Sequence, residues 1–247
     1  MILSDILLVT TAVLVAMAPM TASFLQCWAD RARAGNPGPP EGRSHCDSCG
    51  KTLGAIDLVP VLSWLWNRGK ARCCGQSLSP ALLWPEAAAL ILALWGALAA
   101  SSAFSAQTVA LLWVLQAIVL LHATRTDVVQ GLVALLALAG LAMSAGGLTG
   151  PFSAHAAGLA LGLAAFAATR GNAQTSAYSH AALLLAASGA LLGLFLLPVA
   201  VLIGAALAVA FKQFAPRVGL PKPDKPHALV TGLAGGLWLT WLYGLAV

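Results

Sequence analysis

Four of the five cysteines in this 247-residue chain fall in two pairs, Cys46-Asp-Ser-Cys49 and Cys73-Cys74, and a glycine follows each pair. Thiolates set close together on a tight turn present their sulfurs to one side, and two such turns can enclose a tetrahedral ion such as Zn2+. Cys46, Cys49, Cys73 and Cys74 are therefore the candidate metal ligands. Adjacent cysteines point differently from a two-residue-spaced pair, so alternatives stay open. One of Cys73 and Cys74 stands aside while His45 or a water completes the set, or the thiols remain free, or they carry redox chemistry. Four protein ligands leave no open coordination position, so a zinc ion here would be structural. Cys27 reads as a small apolar residue.

Acidic residues are scarce: Asp5, Asp30, Glu41, Asp47, Asp57, Glu86, Asp127 and Asp224. Hydrolysis of a peptide bond by carboxylates needs two that face each other. Like charges at that distance cannot both ionise cheaply, so one becomes the acid and the other the base. Asp127 opens an apolar stretch beside Arg125, either as half of such a pair or as a solvated partner of that arginine. Glu86 lies about one turn into another apolar run, where an ionisable group is costly and usually functional. His180 stands at the start of a third run, either as an acid or base with an unperturbed pKa of about 6.5 or as a polar residue at a helix start. His155 reads as structural.

The elements that must position these residues are membrane helices. The chain is 60% hydrophobic and only 9% charged, against about 25% charged in ordinary soluble domains. Crossing about 30 Å of hydrocarbon at 1.5 Å per residue takes roughly 20 residues. Eight runs fit: 4–26, 80–100, 105–123, 129–148, 152–169, 181–196, 197–211 and 228–246. The last break but one is placed at Pro198; one tilted helix over 181–211 would make seven spans. Asp5 sits where a signal peptide carries positive charge, so the first run is expected to be an uncleaved anchor.

With eight spans every Lys and Arg falls on one side of the membrane. Arg31, Arg33, Arg43, Lys51, Arg68, Lys70 and Arg72 follow span 1; Arg125 follows span 3 and Arg170 span 5. Lys212, Arg217, Lys222 and Lys225 follow span 7. The positive-inside rule places these in the cytoplasm and the N-terminus outside, and accounts for the net charge of +5 without a nucleic-acid partner. Cytoplasmic thiols are kept reduced, which favours metal over disulfide. The expected fold is all-α and integral to the membrane, with a zinc-knuckle-like insert after helix 1. Its parts are residues 1–26 (first helix), 27–79 (insert) and 80–247 (bundle). Residues Ala34–Gly42 read as a Pro/Gly loop, and Leu58–Trp66 as an apolar segment too short to span, packed on the insert or lying at the interface. Gly158 and Gly162 have the spacing of close helix packing.

An ordered series runs through the first part of the chain. It comprises Ser23-Phe-Leu, Arg43-Ser-His-Cys46-Asp-Ser-Cys49-Gly, Leu58-Val-Pro-Val-Leu-Ser-Trp-Leu, Arg68-Gly-Lys-Ala-Arg-Cys-Cys74, Leu78-Ser-Pro80 and Glu86. It resembles the N-terminal part of the bifunctional prepilin leader peptidase and N-methyltransferase family. The resemblance implies an inner-membrane protein acting on type IV prepilins or pseudopilins. In the family a basic leader is removed and the new N-terminus is methylated by S-adenosylmethionine, while cysteine pairs in the insert bind zinc. It places Ala71 at the first cysteine of the second pair, with Cys73 substituting from a shifted position. It also implies two catalytic aspartates, one just after span 3 and one opening span 6. In register those slots hold Ala123 and Ala181, the latter next to His180. The expectation is a degenerate member that has lost leader cleavage, since Asp127 would need Asp224 or His180 as an improvised mate. Methyl transfer needs no aspartate pair, although no glycine-rich cofactor motif accompanies it. The alternative is a non-catalytic prepilin-binding or assembly factor of a pilus or type II secretion system.

Overall fold

A computed structural model of the chain describes residues 2–36, 38, 40, 42–100, 104–170 and 176–244. Pro37, Pro39 and Glu41 of the expected Pro/Gly loop, residues 101–103 of the first uncharged connection, and 171–175 after Arg170 lie outside the described residues. Among the described residues the protein is all-helical, with only two isolated antiparallel bridges, His45 with Thr52 and Lys70 with Ser77.

The helices are α1 (Ile2–Arg33), a short α2 (Leu62–Trp66), α3 (Leu83–Ala99), α4 (Ser105–Leu121), α5 (Thr126–Ala145), α6 (Phe152–Arg170), α7 (Ser179–Phe214) and α8 (Lys225–Gly244). Of these α1, α3, α5, α6 and α7 are long and apolar enough to cross a membrane, while α4 is apolar but shorter. The last helix, α8, is interrupted by glycine and tryptophan yet buried along most of its length, so much of its surface meets protein instead of lipid. The chain is a multi-pass membrane protein.

Two compact units divide it, Met1–Trp113 with Val218–Leu220, and Val114–Arg217 with Pro221–Val247. In the first unit α1 packs on α3. The contact is made of small side chains, Ala18, Ala22 and Ala29 on one helix and Ala89, Ala93 and Gly96 on the other. Between apolar helices in lipid, close van der Waals approach replaces the hydrophobic drive. A buried bond between the hydroxyls of Thr11 and Ser105, 2.9 Å long, adds a polar tie. Ser79 caps the turn into α3, its Oγ accepting from Ala81 N, with Pro80 at the first position.

The second unit packs α5, α6 and α8 around α7. Glycine lets backbones touch: a Cβ at Gly158 would lie 2.6 Å from the carbonyl oxygen of Gly189, and one at Gly162 would overlap the backbone of Ala186. The helical spacing of Gly158 and Gly162 is thus a packing seam against α7.

α7 is two helices joined at a kink, which makes eight apolar segments among the described residues. The break lies at Gly193 and not at Pro198, which corrects the sequence reading. Gly193 has φ 74° and ψ 172°, a conformation essentially open to glycine alone. Pro198 falls about one turn into the second half, where its fixed φ suits a helix and the lost N–H costs least. The break frees carbonyls at the end of the first half, and His155 from α6 answers one. Its Nδ1 donates to Ala190 O at 2.8 Å while the ring is 2% exposed. His155→Ala leaves that carbonyl buried without a donor, an expected loss of about 1–3 kcal/mol. Denaturant unfolding in detergent would measure it; an unchanged midpoint contradicts the capping role.

Candidate functional site

The insert between α1 and α3 folds one local turn twice. In the first, Gly50 N donates to Cys46 O at 2.8 Å and Cys46 N to Lys51 O at 2.9 Å. In the second, Gly75 N donates to Ala71 O and Ala71 N to Gln76 O, both at 2.7 Å. The paired glycines, at φ 69° and 72°, supply the left-handed residue that closes each turn. Matched position by position, Ala71 stands where Cys46 stands, and both are buried. The missing sulfur comes from Cys73, at the position that is Ser48 in the first turn.

The four sulfurs of Cys46, Cys49, Cys73 and Cys74 all lie within 4.8 Å of one another. Cys49 and Cys73 are 3.4 Å apart and Cys46 and Cys74 3.8 Å. A tetrahedron with metal–sulfur bonds of about 2.3 Å has edges of about 3.8 Å, while a disulfide would bring sulfurs to about 2.05 Å. The donor set fits a structural zinc. His45 is outside this group; its backbone pairs with Thr52.

Amides favour a thiolate at one corner. Backbone N–H groups of Cys49 and then Ser48 lower Cys46 to about 7. The thiol of Cys49, then that of Cys46, pushes Cys73 up to about 12. Negative charge on one sulfur makes the next costly, and a divalent cation removes that conflict by neutralising several thiolates together.

Glu86 ties α3 to the insert. Leu62 N donates to Pro60 O at 2.6 Å across Val61, which has φ 64° and ψ −54°. This is the strained form of the γ-turn, unusual for a β-branched residue. The amide of Val61 donates to Glu86 Oε2 at 2.7 Å, so the carboxylate holds the strained residue in place. Glu86→Ala removes a charge-assisted bond from a part-buried amide, and the expected loss is about 1–3 kcal/mol. Limited proteolysis should then cut near Val61 faster than in the wild type; equal rates would contradict the clamp. Around it Ile56, Leu62, Leu65 and Trp66 are exposed, while Pro60 is buried and the Trp64 ring packs against Gly69 of the insert.

In the second unit Asp127 lies in the first turn of α5, where the helix dipole favours negative charge. Its Oδ1 accepts from Arg125 Nε at 3.1 Å and its Oδ2 from Nη2 at 2.6 Å. The Asp127 side chain is 68% exposed. Asp224 accepts from the backbone N of His227 at 2.7 Å. No hydrogen bond joins Asp127 to Asp224 among the described residues. Ala123 is exposed and Ala181 buried, and neither side chain can exchange a proton.

Three imidazoles meet instead. His227 Nδ1 lies 3.3 Å from His122 Nε2, and His180 stands edge-on to His122 with centroids 6.3 Å apart. Sequence reasoning singled out His180 and passed over His122 and His227. Their shared signal is position: each lies at the cation-bearing end of an apolar segment.

Residues 16–100 match the Bacterial Peptidase A24 N-terminal domain family. A prepilin leader peptidase/N-methyltransferase of Pectobacterium carotovorum subsp. carotovorum is 47% identical over 15% of this chain and 13% of its own. One from Bacillus subtilis is 43% identical over 15% of each chain. A type 4 prepilin-like proteins leader peptide-processing enzyme of Escherichia coli is 33% identical over 22% of this chain and 27% of that protein. The matched segments thus span well under a third of these relatives. No solved structure matches. The match covers both cysteine turns, the Val61 turn and Glu86, and over this segment the chain is similar to the N-terminal domain of prepilin leader peptidase/N-methyltransferases.

Proposed function

We propose that this chain is an inner-membrane protein that engages type IV prepilins or pseudopilins and does not remove their leaders. The observation that carries the reading is a family N-terminal domain with a folded four-cysteine insert, in a chain whose Asp127 is bound to Arg125 and hydrogen-bonds to no second carboxylate among the described residues. The segregation of Lys and Arg supports an N-terminus outside and the insert, residues 27–79, in the cytoplasm. Residues 80–247 form the peptidase-like bundle.

Within this reading the insert retains N-methylation, with S-adenosylmethionine as donor. That donor enters through the family resemblance, and no residue is assigned to it. A second reading, a non-catalytic binding or assembly factor for a pilus or type II secretion system, is favoured by Glu86, whose carboxylate serves to hold Val61. Labelled S-adenosylmethionine and a pre-cleaved pilin separate the two. Label in the pilin N-terminus establishes the methyltransferase, and an unlabelled pilin leaves the binding role. Failure to capture a leader-bearing prepilin in detergent would overturn both.

A further inference from the structure

His122, His180 and His227 come from three separate parts of the chain and converge in one unit. His122 follows α4 directly, His180 lies in the first turn of α7, and His227 in the first turn of α8. The rings of His122 and His227 stack with centroids 4.8 Å apart.

The hydrogen bonding assigns the tautomer of His122. His122 is buried, and its Nδ1 lies 2.8 Å from Val119 O. A carbonyl only accepts, so Nδ1 carries the hydrogen and Nε2 keeps its lone pair. A backbone carbonyl that fixes the ring in this way is the usual support behind a metal-ligating histidine. That lone pair faces His227 Nδ1 at 3.3 Å. The spacing is within hydrogen-bond reach, so His227 Nδ1 can donate to that lone pair. The same spacing equals the edge of a tetrahedron whose metal–nitrogen bonds are about 2.0–2.1 Å. The Nε2 of His180 is buried and has no hydrogen-bond partner among the described residues. The His180 ring stands 6.3 Å from that of His122, centroid to centroid.

We propose that these three histidines form a second metal site, for a borderline divalent cation of the zinc class, separate from the cysteine cluster. Imidazole donors suit Zn, Co, Ni and Cu and disfavour Mg and Ca. Three protein ligands leave a position for water or another donor, unlike the closed four-sulfur site. The inference rests on the imidazole geometry and stands independently of any action on prepilins.

The test uses the full chain in detergent, stripped by chelation and reloaded with Co2+ or Zn2+. The wild type should hold two ions per chain, and Cys46→Ser/Cys49→Ser one. The cobalt spectrum of that variant should show visible ligand-field bands without thiolate charge transfer. Adding His122→Gln and His227→Gln should remove the remaining ion. Because His122 is buried, His180→Ala is the gentler check, with affinity expected to fall at least about tenfold. Wild type holding a single ion, or a second ion bound equally well in His180→Ala, would overturn the proposal.

Discussion

Cys46→Ser/Cys49→Ser should release zinc from the insert and unfold it. Neither the 3-10 turn Ala55–Leu58 nor α2 contains a buried residue, and Ile56, Leu62, Leu65 and Trp66 face outward. So small an apolar core cannot offset the entropy of ordering the segment. Structural zinc in comparably small domains contributes about 10–16 kcal/mol, and the four clustered sulfurs are where that contribution would act. Trypsin cleavage at Arg43, Lys51, Arg68, Lys70 and Arg72 would report the change, alongside metal content. The wild type is expected to resist cleavage with zinc bound, and the variant to be cut rapidly and metal-free. A metal-free wild type of equal resistance would refute the role given to zinc.

Leader cleavage is the second large effect. A prepilin incubated with the purified protein should keep its basic leader, and Asp127→Ala should behave as the wild type does. A positioned general acid or base contributes about 10²- to 10⁴-fold each, and an aspartyl dyad needs both from facing carboxyls. Here Asp127 is bound through both oxygens to Arg125, and Asp224 caps the turn at His227. The family resemblance puts Ala123 and Ala181 at the register positions of the two aspartates. Leader removal that disappears in Asp127→Ala would mean that Asp127 finds a mate the structure does not show.

Local chemistry was legible in the sequence where it depends on neighbours along the chain. The cysteine turns are of this kind: each is closed by its own amides and a glycine, so spacing revealed them, while the shift from Ala71 to Cys73 came from the family resemblance. Apolar runs likewise marked the helices. The kink escaped for the opposite reason. Pro198 is the stronger breaker by residue type, but the break falls at Gly193, where His155 from another helix donates to a freed carbonyl. The histidine cluster joins residues as far apart as His122 and His227, and no periodicity links them. Glu86 stood out as an ionisable group in an apolar run. What it does depended on the strain at Val61, which only backbone angles reveal.

The most direct test of the central claim is the intact mass of a leader-bearing prepilin captured by this protein in reconstituted membranes. The account predicts a captured prepilin at its full, leader-bearing mass. A captured pilin lighter by the mass of its leader would contradict it.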